Sequence, residues 1–224
     1  MSESSPTSVS PVSVEAVAAL CRAASCPVPE TALPDLVVYL ELLMRWNKAM
    51  NLVGARTWQA ALNTLIADSF HLAGFLNTLK LEPEPLVWDL GAGAGLPGIP
   101  LRMAWPRGRY WLVEAREKRA LFLSTVLSRI SLPGTRVFRG RTEAFFTTQE
   151  SKADLILSRA FLPWPEVLEL VRGRLASSGA AVFLAREPAP RDLPAPWTCA
   201  AQREYVVDGA SRWFWAVTAA GEAA

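Results

Sequence analysis

The segment VWDLGAGAGLPGIP, residues 87–100, restricts what this chain can become more than any other. LVWDL, over 86–90, has the composition of a strand buried on both faces, and it runs straight into Gly91, Gly93, Gly95 and Gly98. Four glycines in eight residues raise the entropy cost of folding, so a plain connector is a poor explanation for them. A strand-to-helix turn stripped of side chains lets backbone and ligand approach closely, as at the carboxyl edge of an open parallel sheet.

The rest of the chain agrees with that setting. Beyond the linker LEPEP, apolar runs predict strands at about 109–114, 135–138, 154–158 and 180–185, with helices at about 97–105, 116–130 and 164–176. Strand and helix in alternation require crossovers, hence a mostly parallel sheet with helices on both faces. REYVV and RWFWAVT, separated by DGAS, read as a closing antiparallel hairpin. The expected class is therefore α/β, Rossmann-like, in the order of class I methyltransferases.

Ahead of this core, Leu36, Tyr39, Leu40, Leu43, Trp46 and Met50 recur at intervals of three and four, one stripe of an amphipathic helix. A second helix is predicted from Thr57, its cap, to Leu79. The expected organisation is a tail over 1–12, a helical extension over 13–80, a core over 81–218 and a tail over 219–224.

Glu114 ends the second strand at the same edge as the glycine loop, where its carboxylate can accept hydrogen bonds from the two hydroxyls of an adenosine ribose. A nucleoside ligand follows, and two cofactors compete for it. Gly93, Gly95 and Gly98 satisfy the GxGxxG spacing of dinucleotide binders. Pro97, however, stands where a pyrophosphate would need a backbone N–H, and Asp89 before the first glycine suits a methyltransferase, so S-adenosylmethionine is favoured over a nicotinamide.

Composition narrows the class further. Lys and Arg number 23 against 21 for Asp and Glu, so any nucleic acid must meet a local patch. Three cysteines without metal-site spacing and a single histidine, His71, argue against zinc or a disulfide framework. The N-terminus has no apolar signal region, and no apolar run reaches spanning length. The expectation is a cytoplasmic protein with no metal, no membrane contact and a monomeric state.

Taken together, YLELLMRWNKAMNLVGAR, IADSF, DLGAGAGLPGIP, LVEAREKRALFL, GRTEAF and SRAF resemble, in order and spacing, the bacterial 16S rRNA (guanine-N7) methyltransferase G family, also called glucose-inhibited division protein B. The resemblance runs from about Leu36 to Thr218. It implies cofactor contacts by Gly91 and Leu96, and places Thr142 and Glu143 beside the adenine. Arg159 of SRAF would face the cofactor or the incoming base, as the residue closest to the chemistry. Asp89, Gly93, Gly95 and Glu114 join that set from the class I geometry. Two positions depart from the family pattern: Leu65 stands where relatives carry His, and Arg186 where they carry Lys, which keeps the charge but changes its geometry.

The implied reaction is methyl transfer to a guanine N7 in 16S rRNA or an assembling small ribosomal subunit. N7 offers an unprotonated lone pair, so alignment rather than a base carries the step, and Arg159 can orient the guanine through O6. Arg45, Lys48, Arg56, Arg116, Lys118, Arg119, Arg139 and Arg141 are candidate phosphate contacts. The tryptophans 46, 88, 111, 213 and 215, in apolar-patterned segments, are expected in the core. The rival readings are a methyltransferase of the same fold acting on protein or a small molecule, a nicotinamide-dependent oxidoreductase, and a non-catalytic ribosome assembly protein.

Overall fold

A computed structural model describes residues 11–219; the expected tails over 1–12 and 219–224 lie, but for residues 11, 12 and 219, outside the described residues. The chain opens with α1 (Val14–Ala23), a short 3-10 turn (Glu30–Ala32) and α2 (Leu33–Met50). Next come α3 (Trp58–Ala61), a π turn (Leu62–Ile66) and α4 (Ala67–Leu76). The core follows as β1 (Leu86–Leu90), α5 (Gly98–Ala104), β2 (Arg109–Glu114), α6 (Glu117–Leu127), β3 (Thr135–Arg139), α7 (Thr142–Thr147), β4 (Ala153–Ser158), α8 (Trp164–Leu170) and β5 (Leu175–Ala185). β6 (Trp197–Val207) and β7 (Ala210–Ala219) close the chain.

The seven strands lie in the order β3-β2-β1-β4-β5-β7-β6. β1 to β5 pair in parallel, while β7 runs antiparallel to both β5 and β6. The order reverses between β1 and β4, which creates a crevice at the carboxyl ends of those strands. Successive residues of β1 serve opposite faces. Val87 joins the core under α2, α4, α5 and α6, whereas Leu86, Trp88 and Leu90 join a second core with Phe145 of α7 and Val167 of α8. The expected alternation of elements and the closing hairpin are therefore present.

The helical extension is not a separate body. Leu36, Tyr39, Leu40 and Leu43 are fully buried in the same core as β1 and α6, Trp46 sets its ring 5.7 Å from Phe122, and the Tyr39 hydroxyl donates to the Ala94 carbonyl at 2.8 Å, inside the glycine loop.

Several boundaries differ from the sequence pattern. The helix expected over 57–79 starts at the Thr57 cap, whose hydroxyl accepts from the Ala60 N–H, but the π turn widens it at 62–66. The helix expected to reach 176 stops at Leu170 because Gly173 adopts φ +70, and β5 begins five residues earlier than the apolar run suggested, irregularly paired to β4 near Ala153. The hairpin turns on two residues, Asp208 and Gly209, both at positive φ, the backbone that a two-residue hairpin requires. Cys21 and Cys26 are the paired contact of a helix stop: Ser25 takes φ +50, Cys26 N–H donates to Cys21 O, and Ser25 N–H donates to Arg22 O. Of the five tryptophans expected inside, Trp88 and Trp215 are buried, while Trp46, Trp111 and Trp213 are half-buried.

One buried cation holds the base of α5. Arg102 is 2 % exposed, and its guanidinium donates to the carbonyls of Trp105, Arg107, Gly108 and Pro133 and to the Thr135 hydroxyl. Replacing it with Met leaves those carbonyls buried without donors. Arg102→Met is expected to lower unfolding free energy by about 3 kcal/mol, read as a drop in the urea midpoint at unchanged slope; a loss below about 1 kcal/mol contradicts this role.

Candidate active site

The glycine loop is held in shape by a carboxylate. Gly93 N–H donates to Glu114 Oε2 at 2.8 Å and Arg116 N–H donates to Oε1 at 2.7 Å, while Ala92 N–H extends the sheet by donating to Val113 O. Glu114 is buried, 5 % exposed. Each of its oxygens already has one backbone donor and keeps a further lone pair for a ligand.

The four glycines do different work. A Cβ on Gly95 would meet Ile99 Cδ1 at 2.4 Å, one on Gly91 would meet the Phe161 ring at 2.4 Å, and one on Gly98 would meet Asp89 Oδ2 at 2.5 Å. Only Gly93, at φ +59, opens onto free space, with nothing nearer than 3.7 Å. Close approach to a ligand thus applies to Gly93, and close packing of protein on protein to the others.

Asp89 lies beneath the loop, 1 % exposed. It accepts from the Tyr110 hydroxyl at 3.2 Å and from the Gly98 N–H, and burial pushes its carboxyl up to about 7. This side chain props α5 and lines neither cavity described below, as its position on the core face of β1 dictates. Gly95 is likewise absent from the cleft wall, for the packing reason given above.

Two adjoining cavities open at the carboxyl edge of the sheet. One, about 370 Å³, is walled by Gly91, Glu114, Arg116, Arg141, Thr142, Glu143 and Phe161. The other, about 390 Å³, is walled by Gly91, Gly93, Leu96, residues 52–54, Leu65, Asp68, Arg159, Arg186, Tyr205 and Arg212. Gly91, Arg119 and Ala160 border both, and Ala160 holds φ +49, a conformation that non-glycine residues adopt at a cost. The structure therefore brings Gly91, Gly93, Leu96, Glu114, Thr142, Glu143 and Arg159 to one cleft.

The second cavity is organised by a carboxylate that the sequence reading did not single out. Asp68, 2 % exposed, accepts from Arg159 Nη2 at 2.9 Å, Arg212 Nη1 at 2.6 Å and the Tyr205 hydroxyl at 3.0 Å. The π turn contributes as well: Leu65 O accepts from Arg159 Nη1 at 2.6 Å, and Thr64 O accepts from Arg212 Nη1 at 2.9 Å. Asp68 belongs to the IADSF fragment, and an acid on so apolar a helix calls for a charged partner; that signal was available. Arg212 had no comparable signal, since its partner is 144 residues away.

The loop after α2 forms the rim. Asn47 donates from Nδ2 to Ala55 O at 2.8 Å and accepts the Val53 N–H at 2.9 Å, while Asn51 ends the helix at φ +49. The WNK..NL fragment thereby shapes residues 52–54. Among the basic candidates, Arg116, Arg119 and Arg141 line the cleft. Arg139 pairs with Glu117 on the surface, and Arg45, Lys48, Arg56 and Lys118 are exposed without lining either cavity. His71 packs its ring 5.4 Å from Tyr205, its pKa lowered by burial. Among the described residues no group of three or more His, Cys, Asp or Glu could hold a metal ion, and no helix is long and apolar enough to cross a membrane.

A family model described as rRNA small subunit methyltransferase G, GidB, matches residues 32–192. The chain belongs to the rRNA small subunit methyltransferase G family. Its relatives of that name include one from Nitratidesulfovibrio vulgaris, 58% identical over 179 residues, covering 80% of this chain and 82% of that one. A second, from Oleidesulfovibrio alaskensis, is 48% identical over 201 residues, covering 85% and 87%. Among solved structures, MtNAS in complex with MTA and tNA aligns at a TM-score of 0.59 with 13% identity, covering 94% of this chain and 83% of that one. The precorrin-6y C5,15-methyltransferase from Geobacter metallireducens aligns at 0.50 with 14% identity, covering 77% and 92%. These two likenesses show the fold alone. For the methyltransferase G family member described here, the matched region spans the glycine loop, Glu114, Thr142 and Arg159, and stops before β6 and β7.

Asp89 supplies a test of the loop's support. Its folded pKa stands above the unfolded carboxylate value near 4, so its contribution to stability is full below that value and is lost as pH rises through about 7. Asp89→Asn removes the titration. The melting temperature of the wild type is expected to fall relative to Asp89→Asn between about pH 4 and pH 7; parallel profiles contradict it.

Proposed function

We propose that this chain transfers the methyl group of S-adenosylmethionine to N7 of a guanine in 16S rRNA, as naked RNA or within an assembling small subunit. The observation that carries the reading is the two-part cleft. One half presents the Glu114 carboxylate, which holds the bare backbone of Gly93 on the wall of the other half; that other half presents four guanidiniums, those of Arg119, Arg159, Arg186 and Arg212, around one carboxylate. A cofactor with a nucleoside at one end and a charged amino acid at the other suits the first half and the border between the two.

In this reading Glu114 accepts the ribose hydroxyls, Thr142 and Glu143 flank the adenine, and Gly91 and Leu96 contact the cofactor along the loop. When bound, S-adenosylmethionine supplies a methyl group on a positively charged sulfur, open to in-line attack. The protein's share is alignment, since the N7 lone pair needs no proton removed. Arg159 is rigidly placed by Asp68 and Leu65 O, and its remaining N–H groups can donate to O6 of the guanine. The cationic half suits a polyanionic substrate better than a neutral small molecule. A cytoplasmic monomer working without a metal fits the same chemistry.

Mapping N7-methylguanine in 16S rRNA from cells with and without the gene tests this directly. Loss of one modified guanine, restored by the wild type and not by Arg159→Ala, is the expected result. An unchanged map refutes the RNA assignment, and full restoration by Arg159→Ala refutes the role given to that arginine.

A further inference from the structure

The sheet order arranges the cleft residues in a line. Thr142 follows β3, Glu114 ends β2, Gly91 follows β1, Arg159 follows β4, Arg186 follows β5, and Arg212 stands near the start of β7. Because β7 is antiparallel, its first residues return to the edge where the parallel strands end. Ala185 pairs with Trp213, so Arg186 and Arg212 stand side by side. Neighbouring strands lie about 4.8 Å apart, which puts β7 roughly 14 Å from β1. The cofactor residues occupy the β3 to β1 side, and the two arginines occupy the far end.

The charges at that end do not balance. Asp68 is the one carboxylate on the cavity wall, and it is shared by Arg159 and Arg212. Arg119 and Arg186 have no ion pair among the described residues. A purely structural cluster would approach neutrality, because partly desolvated cations are costly without partners. Across the whole cavity three positive charges remain uncompensated; one is Arg119, beside Gly93, so two belong to this end, where Arg186 meets solvent, a setting for an anion.

On the reading that the substrate is RNA, we propose that Arg186 and Arg212 form a phosphate subsite that grips the phosphodiester beside the target guanosine. Asp68 acts as the positioning residue that fixes Arg212 together with Arg159. Arg212 Nη1 is consumed by Asp68 and Thr64 O, whereas Nη2 and Nε have no hydrogen-bond partner among the described residues and are left for an anion. Arg186 is exposed at the mouth and needs no partner to keep its place. Leu65 and Arg186 both line this cavity. A phosphate accepts a lysine as a point charge as well as an arginine.

The test is steady-state methylation of small ribosomal subunits isolated from cells lacking the gene, with Arg186→Gln, Arg186→Lys and Arg212→Gln compared with the wild type over a salt series. Arg186→Gln is expected to raise the KM for subunits about tenfold and to flatten the logarithmic salt dependence by roughly 0.7 to 0.9 for the lost contact, with the KM for S-adenosylmethionine within about twofold of wild type. Arg186→Lys restores most of the loss. Arg212→Gln follows Arg186→Gln; since it also strips a partner from Asp68, Arg186→Gln decides. An unchanged subunit KM and salt slope in Arg186→Gln overturns the subsite, as does an equal rise in the KM for S-adenosylmethionine, which would assign the anion to the cofactor's carboxylate. If the wild type methylates no RNA at all while still binding S-adenosylhomocysteine, the RNA reading falls and the subsite with it.

Discussion

The hydrogen bond from Gly93 N–H to the Glu114 carboxylate is the contact on which the shape of the glycine loop depends. It ties the loop after β1 to the end of β2 and keeps a bare stretch of backbone facing the cleft. A backbone donor to an ionised acceptor contributes about 1.5 to 3 kcal/mol, enough to hold one loop conformation without a ligand. Packing supplies the rest: Phe161 covers Gly91, Ile99 fills the space at Gly95, and Asp89 with Tyr110 supports Gly98 from below. The helical extension adds Tyr39 on Ala94 O. The loop is thus braced from the sheet, from the core and from the extension.

A second carboxylate, Asp68, performs the corresponding task for the other half of the cleft. Its partners come from the residue after β4, from β6 and from β7, so a residue of the helical extension joins the parallel part of the sheet to the antiparallel hairpin. The π turn is part of the same arrangement. The carbonyls of Thr64 and Leu65, both within it, accept from the two arginines. What distinguishes this chain from a bare class I core is that its extension and its last hairpin build one cationic wall.

Much of this was legible in the sequence, and the reasons are local. The glycine loop, Glu114 and the alternation of strands and helices follow from composition and spacing, because buried parallel strands and their turns announce themselves over a few residues. The amphipathic stripe of α2 was equally plain. The Asp68 cluster is not, since it joins residues up to 148 apart and no local pattern encodes such a pairing. The inward side chain of Asp89 is hidden for a related reason: its place before the first glycine suggests a ligand contact, while the face of β1 on which it lies is set by the pleat of the whole strand. Gly95 and Gly98 carry the same signature as a glycine that clears space for a ligand, although their clearance serves Ile99, Leu123 and Asp89. The π turn inside the second helix left no trace in an apolar periodicity that continues across it.

Calorimetric titration of S-adenosylhomocysteine into the purified protein and into Glu114→Gln tests the central claim most directly. The account predicts binding by the wild type, none by it for NADH, and at least about a tenfold weaker affinity in Glu114→Gln, whose amide can still brace Gly93 but loses the charge that attracts the ribose hydroxyls. Equal affinity in the two proteins, or no binding by the wild type, would contradict it.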